Sequence, residues 1–136
     1  MKTPRLPRPS KSGFTLLEMT IVIMVLLALM KIGLFTSSKM NEWKLGRAAS
    51  ETVRSVYSAQ RMYLADNPTV SVANITTALV IPYLPNNVTV MPTVKSMTGA
   101  NLSILVNVSP PVINAGSGVP YDPSGSNTDS LWDVGE

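Results

Sequence analysis

The sequence predicts an α+β chain: one long N-terminal helix forms a spine, and a small antiparallel sheet packs its distal half. Three observations carry this reading. Phe14–Met30 is an apolar run of 17 residues, which Ile32, Gly33, Leu34 and Phe35 prolong past Lys31 to 22 positions. Beyond it, Leu45, Ala49, Val53, Val56, Gln60 and Tyr63 recur at steps of mostly three and four residues, the period of one helical face. Further on, Leu102, Ile104, Val106 and Val108 alternate with Ser103, Leu105 and Asn107, the period of a strand with one face buried.

The apolar run corresponds to roughly 33 Å of helix at 1.5 Å per residue, enough to cross a bilayer core. Lys2, Arg5, Arg8 and Lys11 precede it without an acid, so residues 1–13 carry +4, whereas the other 123 residues carry −1. That asymmetry keeps the N-terminus in the cytoplasm and places the C-terminal part outside it. A cleaved secretory signal would share the basic start and the apolar run. It would not explain Glu18 inside that run, and no small-x-small cleavage site follows.

The helical period continues beyond Phe35. Ala48, Thr52, Ala59 and Met62 widen its apolar face, and Arg47, Glu51 and Arg54 have the spacing of weak surface ion pairs. Pro68 restricts Asn67, so the helix is expected to end near Asp66. Residues 36–67 then form the amphipathic half of the spine. Residues 68–136 form a small C-terminal domain, too short to be stable without the helix face as part of its core. Asn74 is placed to cap a short helix over residues 75–80. Residues 89–97 read as an edge or bulged strand containing Pro92. Pro110 and Pro111 end the alternating strand, residues 114–129 read as a loop, and residues 131–134 as a last strand anchored by Trp132.

Composition excludes several chemistries. The chain has no cysteine and no histidine, which removes disulfides, Cys/His zinc sites, thiolate nucleophiles and serine–histidine–acid triads. No element fixes two acids toward one cleft, so no enzyme is expected. Glu18 stands out. A carboxylate in a membrane helix calls for a cationic partner, and Lys31 is thirteen residues away. A cut before Phe14 would create one, an α-amine four residues from Glu18 on its own chain or on a neighbour's.

The stretch Lys11-Ser12-Gly13-Phe14-Thr15-Leu16-Leu17-Glu18-Met19 resembles the prepilin cleavage motif of type IV pilins and type II secretion pseudopilins. The likeness covers about residues 8–66. More weakly, Val119-Pro120-Tyr121-Asp122-Pro123-Ser124-Gly125 and residues 131–135 look like the C-terminal end of short bacterial pilin-like proteins. The resemblance implies a pilin-like fold and a leader of residues 1–13, cut between Gly13 and Phe14, with Phe14 then N-methylated. It implies residues 14–35 as membrane and filament-core helix, and Glu18 as the acid that governs subunit docking. Where many members have a helix-breaking proline, this sequence has Phe35, with Gly33 two residues before it.

The implied function is that of a structural subunit, the major pilin of a type IV pilus. The alternatives are the major pseudopilin of a type II secretion system and, further off, a bitopic membrane protein with an outer binding module. Implied partners are further copies of the chain, a prepilin peptidase, an inner-membrane platform with its cytoplasmic assembly ATPase, and minor pilins. The subunit would be single-pass in the inner membrane before assembly and lie in a cell-surface or periplasmic filament afterwards.

Three further features have bland counterparts. Asp122, Ser124, Asn127 and Asp129 offer hard oxygen ligands for calcium, as secretion-type pseudopilins do in this region, but they also suit ordinary surface turns. Lys39, Lys44, Arg47, Arg54 and Arg61 could hold DNA on a filament or form a solvated helix face. Asn74, Asn87, Asn101 and Asn107 each begin an Asn-x-Ser/Thr match.

Overall fold

A computed structural model describes residues 13–135. The expected leader therefore lies outside the described residues except for Gly13, and so does Glu136. The chain divides into two compact units, Met1–Ser38 and Lys39–Glu136.

Helix α1 spans Leu16–Asp66, 51 residues. It starts two residues later than the apolar run, because Thr15 sits at the cap. In the first unit every described residue is exposed, including Phe14, Leu16, Ile21, Leu26 and Phe35. The hydroxyls of Thr20, Thr36 and Ser38 donate back to the carbonyls of Leu17, Ile32 and Leu34, so they stay satisfied without water. Gly33 lies within the helix with open space around it. Among the described residues, α1 is the one helix long and apolar enough to cross a membrane.

In the second unit, the face of α1 made by Ala49, Val53, Val56, Ala59, Gln60 and Tyr63 is buried. Gly46 and Ser50 share it, although neither marks a face by hydropathy. Met62 and Ala48, expected to widen the face, are exposed. Against the buried face pack Ile75, Val80, Leu84, Val94, Ile104, Val106, Ile113 and Trp132. At the helix end, Tyr83 donates its hydroxyl to Asp66 at 2.9 Å, a bond that raises the phenol's pKa.

The segment after α1 is built of short turns. A 3-10 turn covers Val72–Asn74, and helix α2 covers Thr77–Val80. Asn74 therefore ends a turn and does not cap the helix; Thr76 takes the cap position without a side-chain bond. Strand β1 is only Val94–Lys95, since Pro92 lacks the N–H that an earlier start would need. It pairs antiparallel with β2, Asn101–Leu102, through Val94↔Leu102 and Lys95↔Asn101.

The alternating segment is not one strand. After β2 it resumes as β3, Ile104–Leu105, and stops there. Beyond it, the Gln60 amide on α1 donates to the carbonyls of Val106 and Val108 at 2.8 and 2.7 Å, doing what a neighbouring strand would otherwise do. Ile104 and Val106 face the core as expected, whereas Val108 is exposed. Strand β3 pairs with β4, Val112–Gly116, which pairs with β5, Val119–Pro120. This hairpin lies in the segment expected to be a loop. Its turn places Gly116, Ser117 and Gly118 at positive φ, which glycine permits at little cost. Residues 131–134 form no strand, but Trp132 is the anchor expected, 4% exposed.

Candidate functional site

Thr15 and Glu18 form a closed polar box at the start of α1. The Thr15 N–H and hydroxyl donate to Glu18 Oε2 at 2.8 and 3.1 Å. The Glu18 N–H donates to Thr15 Oγ1 at 3.2 Å. Thr15-Leu16-Leu17-Glu18 has the spacing of a capping box, in which cap and third helical residue satisfy each other's backbone donors. The carboxylate therefore has local partners within its own chain, and an acid near a helix N-terminus is also favoured by the helix dipole. Phe14 is 75% exposed, and Gly13 has nothing within 4 Å of where a Cβ would lie.

The second polar centre is the C-terminal segment where it meets α1. The Trp132 N–H donates to the Gly46 carbonyl at 3.1 Å. A Cβ on Gly46 would lie 2.9 Å from Trp132 Nε1, so only glycine admits the indole there. Two turns further along, Arg54 donates to the Val134 carbonyl at 2.6 Å and to Ser130 Oγ at 2.8 Å. Tyr121 meets the Trp132 ring edge-on at 5.2 Å. Between these ties, Asp133 has both carboxylate oxygens shielded from solvent and without a hydrogen bond. Burial pushes its pKa up, as do the charges of Asp129 and Asp122. The Gly135 N–H, outside ordinary hydrogen-bond geometry, and Arg54 oppose the shift.

Two of the candidate calcium ligands accept hydrogen bonds within their own turns. Asp122 Oδ1 accepts from the Ser124 N–H and hydroxyl at 3.0 and 2.6 Å, and Asp129 Oδ1 accepts from the Leu131 N–H at 2.9 Å. These are Asx turns, each closing its own loop. Among the described residues no group of three acidic side chains is arranged to hold a metal ion. Ser124 is bonded to Asp122, and Asn127 is exposed on the same loop.

The basic residues of α1 are dispersed among separate tasks. Lys39 pairs with Glu42 at 2.9 Å, the one ion pair among the described residues. Arg47 lies over the Trp43 ring at 5.3 Å and Arg61 over Tyr57 at 5.7 Å. Arg54 is engaged with the C-terminal segment, not in the ion pair expected with Glu51. Asn74, Asn87, Asn101 and Asn107 are all exposed. Sequence reasoning missed Gly46, Arg54 and Asp133. A glycine in the middle of an amphipathic helix was the available signal for the first, since it costs about 1 kcal/mol of helix propensity against alanine.

No family model matches the chain, and no curated protein or solved structure matches it. Fold and site define a small α+β protein with one long apolar N-terminal helix of membrane-spanning length.

Proposed function

We propose that this chain is a pilin-like structural subunit that polymerises through its N-terminal helix into a type IV pilus filament after removal of residues 1–13. The observation that carries the reading is the run Gly13-Phe14-Thr15-Leu16-Leu17-Glu18 at the head of a helix whose apolar side chains as far as Phe35 are all exposed in the single chain. A bare apolar helix of this length needs lipid or copies of itself around it. A cut before Phe14 would supply the α-amine that gives the Glu18 carboxylate a cationic partner and makes it half of an inter-subunit pair. The secretion-pseudopilin alternative would gain from a built calcium centre in the C-terminal loop. Asp122 and Asp129 each accept within their own turn through one oxygen.

The peptidase, the assembly platform with its ATPase, and minor pilins belong to this reading as partners. The test is the intact mass of the chain in filaments sheared from cells. It should lack residues 1–13 and carry one extra methyl group on Phe14. Recovery of filament chains that still begin at Met1 would refute the reading.

A further inference from the structure

The surface around Trp43 has a composition that neither the filament-core helix nor the domain core accounts for. Met40 and Trp43 are neighbours on one side of α1, 56% and 54% exposed. The turn between β1 and β2 brings Met97, 42% exposed, beside Trp43. Leu131 and Pro123 complete a shallow groove of about 190 Å³. Large exposed apolar side chains grouped in this way mark a contact surface. The charge beside them is positive. Glu42 is neutralised by Lys39, while Lys44 is exposed, with no ion pair among the described residues, and Arg47 lies over the Trp43 ring.

Chain position says what can cover this face. Met40 and Trp43 follow Phe35, the last residue of the apolar stretch, by roughly 8 and 12 Å of helix rise. The headgroup layer outside a bilayer core is about 5–8 Å thick. Met40 thus falls at that layer, and the Trp43 side chain leans back over the turn N-terminal to its own Cα, toward it, with Met97 beside it. Tryptophan with adjacent lysine and arginine is the side-chain set that settles at such interfaces, where the ring is half apolar and the cations meet lipid phosphates. A second copy is a poorer fit for the groove. A stable pair of proteins buries about 800 Å² on each partner, far more than two methionines and a tryptophan supply.

We propose that this face is a bilayer-contact surface: in the unassembled chain, Met40, Trp43 and Met97 rest in the headgroup layer while Lys44 and Arg47 face anionic lipid phosphates. The inference rests on α1 spanning the membrane, and not on the chain forming filaments.

The test uses the full chain, one copy per nanodisc, in phosphatidylcholine discs and in phosphatidylglycerol-containing discs, with lipids brominated close to the headgroup. The chain has two tryptophans, and Trp132 is buried, so subtracting the emission of Trp43→Phe isolates Trp43. Expected are a blue-shifted Trp43 emission and loss of most of it to the brominated lipid, with a greater loss in the anionic discs. Met97→Asp should restore emission, and Lys44→Glu should abolish the preference for anionic discs. Both change exposed side chains outside the core. Water-like, unquenched emission from a chain that co-migrates with the discs would overturn the proposal and leave the spanning helix intact. Quenching that neither substitution alters would also overturn it, because Trp43 would then be held by the helix alone. A chain that fails to co-migrate would sink the spanning reading and this surface with it.

Discussion

Trp132 sits at φ 67°, a left-handed backbone conformation that bulky residues seldom adopt and that costs of order 1–3 kcal/mol. The cost is met by its surroundings: the N–H bond to Gly46, the edge-on Tyr121 ring and the Arg54 ties on either side. Gly46→Ala tests that balance. Alanine gains about 1 kcal/mol of helix propensity. Its Cβ would meet Trp132 Nε1 at 2.9 Å and Leu131 at 3.3 Å, and overpacking of this kind costs ~1–3 kcal/mol. The indole is held from two sides and has little room to yield, so a net fall in melting temperature is expected, larger for Gly46→Val. Asp133 gives the second expectation at this scale. Its folded pKa lies above the ordinary carboxylate value of about 3.9. The folded chain therefore binds the proton more tightly than the unfolded one. Whatever stability protonated Asp133 contributes is complete below the unfolded pKa and lost as pH rises through the raised folded value. Asp133→Asn should therefore raise the melting temperature at neutral pH, and the gain should vanish in acid. A melting series followed by near-ultraviolet dichroism of Trp132 decides it; an equal gain at every pH would mean that charge is not the cause.

At the scale of elements, α1 holds the domain together from one face, and Val53 stands at its centre with no exposed area. Val53→Asp puts a carboxylate there without a donor, which should cost several kcal/mol (~3–5) and unfold a domain of this size. Dichroism of a fragment beginning at Lys39, the start of the second compact unit, reads this out directly; an unchanged melting temperature would show that the face is misassigned. The face was legible because a 3.6-residue period from Leu45 to Tyr63, about five turns, marks a helix, and Pro68 marked its end. The β-structure was less so. Ile104 and Val106 were legible as core positions, but the Gln60 amide that replaces a strand partner at Val106 and Val108 sits 46 residues away and leaves no local sign. The β4–β5 hairpin was hidden for a different reason. Its glycines and serine supply positive φ at the turn, and in composition they look like a loop. Among the site residues, Glu18 stood out because a charge in an apolar run is rare, whereas its Thr15 partner needed the capping geometry. Arg54 resembled a solvated helix charge because its acceptors are a carbonyl and a hydroxyl at the far end of the chain.

At the scale of the whole molecule the two ends of the spine pose one question: whether Glu18 serves its own helix or a neighbouring subunit. In the single chain it closes the box with Thr15. On the filament reading it also meets the α-amine of Phe14 from an adjacent copy, an opposite charge in an apolar setting, where such a pair matters more than on a surface. Substitutions separate the two roles. Glutamine suits the third position of a capping box, so Glu18→Gln keeps the box and removes only the charge. Thr15→Val does the reverse, removing the hydroxyl and keeping the carboxylate. If docking on the amine is what matters, Glu18→Ala and Glu18→Gln should both be made, inserted and cleaved but yield few sheared filaments. Glu18→Asp, with its shorter arm, should be intermediate, and Thr15→Val should lie nearer the unaltered chain than either. The readout is filament yield normalised to the subunit in the membrane. Full yield from Glu18→Gln together with poor yield from Thr15→Val would assign the carboxylate to the helix cap. The α-amine of Phe14 would then have no partner in Glu18, and axial register would have to come from contacts of the exposed apolar helix.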